Sequence, residues 1–181
     1  MELSSGHRVP RVTVGATQLR AAMVNEREVR AAAGITMAVG AVAFGYAYFA
    51  KQYVPLQVAA TLFFVEFLVR ITAGIRHSPV GRVARAMTRD QRPEWVSAKP
   101  KRFAWTLGLV MAGAMAVITN VGIRGYLPRT ICLICLTLMW MESALGLCLG
   151  CRLHGLLVAR GWAGADPEVE VCADGGCRSG S

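Results

Sequence analysis

Residues 53–75 read YVPLQVAATLFFVEFLVRITAGI, and this stretch decides the fold class. A segment crossing about 30 Å of hydrocarbon needs about 20 mostly apolar residues in one helix. This one meets that length with only Glu66 and Arg70 charged. Three further stretches qualify: about 31–50, about 103–123 and about 127–149, the last extending to 151. The first has polar or mixed residues before it and no small-residue cleavage site, so it reads as a retained helix and not as a signal.

Composition agrees. Of 181 residues only 17% are charged and the net charge is +9. With glycine counted in and tyrosine out, about 62% of the chain is apolar, where soluble domains reach about 45–50%. A soluble fold of this size cannot hide so much apolar side chain. A disordered chain and a small disulfide-rich module are excluded on the same grounds.

The basic residues orient the chain. Arg8, Arg11, Arg20, Arg27 and Arg30 precede the first span. Arg76, Arg82, Arg85, Arg89, Arg92, Lys99, Lys101 and Arg102 separate the second from the third, and Arg152, Arg160 and Arg178 follow the fourth. The opposite side carries only Lys51, Arg124 and Arg129. The positive-inside rule places both termini and the long loop in the cytoplasm of a bacterial inner (plasma) membrane. No recognition motif or stacking pattern accompanies these cations, so contact with the lipid bilayer explains them and nucleic acid does not.

The links between spans one and two and between three and four are very short, which makes antiparallel neighbours. The expected fold is all-α: a polytopic, up-down four-helix transmembrane bundle. Val80, Val83, Ala84 and Met87 alternate with Arg82, Arg85 and Arg89 at helical spacing, predicting a short amphipathic interfacial helix in the cytoplasmic loop. Gly108, Ala112 and Ala116 form a small-residue stripe, repeated by Gly146 and Gly150, that lets helices approach closely. Asn120 is expected to hydrogen-bond a neighbouring helix. The domain plan is a basic N-terminal segment (1–30), a membrane domain (31–158) and a flexible tail (159–181).

Charges in lipid are costly and pair inside the bundle. Glu66 and Arg70, four residues apart, share a helix face, and Glu142 lies at similar depth on span four. The three are expected to form an intramembrane Glu–Arg–Glu cluster, either structural or a proton or anion site.

Six cysteines fall in three pairs. Cys132 and Cys135 open span four, Cys148 and Cys151 close it, and Cys172 and Cys177 lie in the tail. On a continuous helix Cys132 and Cys148 stand about 24 Å apart, too far for one zinc ion. The outer pair follows Leu127-Pro128, a helix start whose dipole favours thiolate, whereas the inner pair would sit at the unfavourable C-terminal end. Inert packing is the bland reading of either pair. Cys148, Cys151, His154, Cys172 and Cys177 would also suit a cytoplasmic zinc clip.

Val65-Glu66-Phe67-Leu68-Val69-Arg70, Arg76-His77-Ser78-Pro79, Lys99-Pro100-Lys101-Arg102-Phe103-Ala104 and Gly146-Leu147-Cys148-Leu149-Gly150-Cys151 together resemble a bacterial membrane family, domain of unknown function 4395, over about 25–157. The resemblance marks Glu66, Arg70, Cys148 and Cys151. Where the family often has an aromatic residue after the second cysteine, this chain has His154. Members often occur beside thioredoxin-like and sulfurtransferase proteins, which implies such a partner and a link to thiol or sulfur chemistry.

Three functions fit these residues. The first is thiol–disulfide or sulfur redox at Cys148 and Cys151, with Cys132 and Cys135 as a weaker pair that would need a carrier such as a quinone. The second is transport of a small, sulfur-containing anion by Arg70, in a homo-oligomer. The third is a structural subunit with a zinc clip. Neither an enzymatic role nor a required cofactor follows from the residues alone.

Overall fold

The computed structural model describes residues 13–14, 17–18 and 23–162. Strands β1 (Thr13–Val14) and β2 (Thr17–Gln18) pair antiparallel. Strand β3 (Met23–Asn25) leads into α1 (Glu26–Phe49), followed by α2 (Val54–Thr72), a 3-10 turn (Ile75–His77) and α3 (Pro79–Met87). Strand β4 (Trp95–Ser97) precedes α4 (Ala98–Asn120), then α5 (Tyr126–Leu145) and α6 (Leu149–Ala159). The chain is an all-α polytopic bundle apart from these short strands.

Helices α1, α2, α4 and α5 are each long and apolar enough to cross a membrane. Even the shortest, α2 with 19 residues, rises about 28 Å. At most a third of each apolar window is buried inside the protein. Val42, Leu62, Val110 and Val117 instead expose more than half of their surface. That distribution is stable only where the surroundings are themselves apolar.

The bundle has two ends. At the turn end, the short links join α1 to α2 and α4 to α5. At the loop end lie α3, the α2–α4 connection and α6. One core layer near the loop end joins Val29, Ala32, Phe67, Ala84 and Trp105; another near the turn end joins Ala43, Ala47, Leu56, Ala60, Met115 and Cys132. The small-residue stripe of α4 does receive α2: a methyl group on Gly108 would lie 2.8 Å from the Phe67 ring. Asn120 accepts a 2.6 Å hydrogen bond from Gln57 of α2, as its position predicted.

Helix α1 starts at Glu26, five residues before the expected span. The Asn25 side chain caps it, accepting the Arg27 amide at 3.2 Å, and Glu26 and Glu28 complement the helix dipole. Asn25 also accepts the Glu94 amide, and β3 pairs with β4. This short-strand tie between chain segments 70 residues apart leaves no periodic trace in sequence.

Helix α3 forms where the alternation placed it, capped by Ser78, whose hydroxyl accepts the Gly81 amide at 2.9 Å. Ala84 is fully buried in the core layer that includes Val29 and Ala32 of α1, while Val83 and Met87 are exposed beside Arg82 and Arg85.

At the turn end the Tyr53 phenol oxygen accepts hydrogen bonds from the Gly125 amide (3.0 Å) and from Arg129 Nε (3.0 Å) and Nη2 (2.6 Å). Desolvation raises the phenol's pKa, but these donors and the Arg129 charge outweigh it, holding the value below the ordinary 10.0. Because the folded-state value is the lower one, this tie strengthens as pH rises through it toward 10.0 and loses that gain again on acidification. A spectrophotometric titration of the four tyrosines should show one ionising ahead of the others. That component should vanish in Tyr53→Phe and move upward in Arg129→Gln.

Span four is not one helix. Helix α5 ends at Leu145, and Gly146 adopts a left-handed conformation with φ 68°. Its amide and that of Leu147 both return to the Met141 carbonyl, the pattern by which glycine closes a helix. Gly146 therefore ends a helix and is not part of a packing stripe. Gly150 does pack: a methyl group there would lie 2.6 Å from the Ala104 side chain, so α6 rests directly on α4.

Candidate functional site

The polar groups inside the bundle form two ion-pair sites instead of one cluster. Glu66 and Arg70 pair at 2.9 Å on α2 and are both about 95% or more buried. The other Glu66 oxygen accepts the Val80 amide at 3.4 Å, while Arg70 Nη2 is buried without an acceptor among the described residues. Glu142 does not hydrogen-bond Arg70. It accepts from Lys101 Nζ at 3.2 Å, and the same ammonium lies 2.8 Å from Glu26.

The expected Glu–Arg–Glu cluster is corrected accordingly. Lys101, grouped above with the loop cations, belongs to the first turn of α4 and is 4% exposed. One ammonium from α4 thus bridges a carboxylate of α1 and a carboxylate of α5. Glu142 and Lys101 are 41 residues apart, and no local signal in the sequence joins them.

The helix break reverses the electrostatic ranking of the cysteine pairs. Cys148 lies at the N-cap of α6 in an extended conformation, and its sulfur accepts the Cys151 amide at 3.2 Å. An N-terminal helix end presents free N–H groups and positive potential, which stabilise a thiolate. Cys132 lies six residues into α5, beyond the first turn where the dipole acts. The expectation that the second pair sits at the unfavourable C-terminal end of a helix is thus overturned. Gly146 was the one local sign of a new helix start after it.

Cys148 and Cys151 are joined as a disulfide, with Cα atoms 5.2 Å apart. Cys148 is buried, and Cys151 is partly exposed. Cys132 and Cys135 are free thiols, the first buried and the second partly so.

Arg30 of α1 holds the break in place. Its guanidinium donates to the Ser143 carbonyl (3.2 and 3.3 Å) and the Ala144 carbonyl (3.1 Å), satisfying orphan acceptors at the end of α5. Gly34 of α1 lets the two helices close there, since a methyl group would meet Ser143 Oγ at 2.8 Å.

His154 is buried one turn beyond Cys151, its ring 5.5 Å from that of Phe103, and Nδ1 has no partner among the described residues. Among the described residues, no three His, Cys, Asp or Glu side chains gather closely enough to hold a metal ion. The zinc clip would also need Cys172 and Cys177, which lie outside the described residues.

A cavity of about 160 Å³ runs through the bundle interior. Leu56 and Met115 line it toward the turn end, and Glu142, Cys148 and Gly150 toward the loop end. Cys132 and Cys135 also line it. Apart from Glu142, Thr36 and the cysteines, its walls are aliphatic, aromatic or glycine.

Residues 24–159 match the family described as Domain of unknown function (DUF4395), in agreement with the resemblance read from the motifs. No curated protein and no solved structure matches the chain.

Proposed function

The chain belongs to the family described as Domain of unknown function (DUF4395), and on that footing we propose that it is an inner-membrane thiol–disulfide exchange protein using Cys148 and Cys151. Both termini face the cytoplasm in this reading, supported by the 16 of 20 basic residues that fall on one side of the spans. The partner is a cytoplasmic dithiol protein of the thioredoxin-like or sulfurtransferase kind.

The observation that carries the reading is the Cys148 sulfur at the N-terminus of α6, hydrogen-bonded by the Cys151 amide. A partner thiolate attacks the more exposed Cys151 sulfur, forming a mixed disulfide and expelling Cys148 as thiolate. The helix N-terminus stabilises that leaving group. The partner's second thiolate then attacks its own mixed-disulfide sulfur and releases Cys151. Two electrons have passed to the pair, and the partner carries a disulfide.

Alkylation of intact cells with a mass-tagged maleimide, with and without prior reduction, checks this. Cys148 and Cys151 should gain two tags only after reduction, and Cys148→Ser should leave Cys151 reactive from the start. If both react without reductant under every condition and their Ser variants are silent, the reading fails.

A second reading, transport of a small sulfur-containing anion, draws on the buried and unpartnered Nη2 of Arg70. It requires that Arg70→Gln abolish thiosulfate uptake into proteoliposomes while Cys148→Ser leaves uptake intact.

A further inference from the structure

We propose that the bundle cavity is a binding site for a membrane quinone, which takes the two electrons from reduced Cys148 and Cys151. The proposal rests on the exchange reading above and extends it to the acceptor. Its first support is the asymmetry of the pair: Cys148 lines the cavity, whereas Cys151 does not and is partly exposed. One sulfur therefore faces a partner outside the bundle and the other faces the interior. A dithiol placed so can receive electrons on one side and deliver them on the other.

The cavity selects the chemistry of the acceptor. An apolar cavity of about 150 Å³ accommodates a benzene-sized ring, and this one, at about 160 Å³, is of that size. Its walls, including Met111 and Met139, are too apolar for a nicotinamide or flavin nucleotide with charged phosphates. Glu142, held by Lys101 at 3.2 Å, lines the same cavity as Cys148. Its carboxylate is an acceptor for a hydroxyl of the hydroquinone product.

The cavity also reaches the other thiols. Cys135 stands about 15 Å along α5 from its end at Leu145. Cys132, Cys135 and Cys148 nevertheless line one space.

The step balances without another reagent. Two S–H bonds are given up, one S–S bond forms between Cys148 and Cys151, and two electrons and two protons convert the quinone to hydroquinone. The partner protein, by class a dithiol, is the reductant that restores the thiols.

The test uses the full chain in nanodiscs with Cys132, Cys135, Cys172 and Cys177 replaced by Ser, reduced, freed of reductant and mixed with decylubiquinone. Loss of quinone absorbance should amount to about one equivalent per chain, with the Cys148–Cys151 disulfide re-formed. Met111→Trp fills the cavity with an apolar side chain. It should slow quinone reduction about tenfold or more while leaving oxidation by a soluble disulfide unchanged. Leu107→Trp, nearer the helix surface, serves the same purpose if the first variant does not fold.

No quinone reduction by a pair that still exchanges with a soluble disulfide overturns the proposal and spares the exchange reading. Failure with both acceptors overturns the exchange reading itself. Undiminished quinone reduction in both Trp variants overturns the site. A tightly held phospholipid in native mass spectra that decylubiquinone does not displace also overturns it, assigning the cavity to an acyl chain.

Discussion

Replacing Arg70 by leucine should destabilise the bundle by about 3–5 kcal/mol, because it strands the Glu66 carboxylate where no water reaches it. Glu66 and Arg70 are 5% and 3% exposed, and their contact is 2.9 Å. Their attraction repays desolvation only while both are present. The double variant Glu66→Leu/Arg70→Leu removes both charges and should recover most of the loss. Unfolding in mixed micelles, followed by tryptophan fluorescence, measures the cycle. A double variant no better than Arg70→Leu would mean that the pair is not the unit that holds these charges in the bundle. The same cycle separates a structural pair from an anion site, since only the latter predicts lost uptake in the well-folded double variant.

A loss of similar size is expected for Lys101→Met. This ammonium lies 2.8 Å from Glu26 and 3.2 Å from Glu142, and it is 4% exposed. Without it two carboxylates from α1 and α5 face each other with no intervening cation, at a cost of about 3–5 kcal/mol. Lys101→Met combined with Glu26→Gln and Glu142→Gln should restore most of the stability in the same unfolding assay. Lys101→Arg would not be an equivalent control, because its planar fork differs in shape from a compact ammonium. If Lys101→Met unfolds like the parent, the three groups do not form the ionic tie between α1, α4 and α5 described above.

The sequence reading and the structure part company at identifiable residues. Four spans, two tight links and α3 were legible from hydropathy and the alternation of Val80, Val83 and Met87 with arginines. The end of α5 was not, because Leu145, Leu147 and Leu149 keep hydropathy high across the break. Only Gly146 marks it, and one glycine inside an apolar run is also what helix packing demands. The error mattered, since it assigned Cys148 to the wrong end of a helix. Glu66 and Arg70 were legible as a pair because i and i+4 share a helix face. Glu142 was matched to the wrong cation for lack of any such local rule.

Membrane residence, the number of spans and the candidate cysteines therefore follow from the chain alone. Each depends on composition summed over about 20 residues or on spacing within one helical turn. Tertiary structure decided which charges meet, where Cys148 sits on α6 and that three cysteines line one cavity. Those facts depend on which faces of separate helices come together. That choice is set by contacts such as Gly34 against Ser143 and Gly150 against Ala104, between residues far apart in the chain.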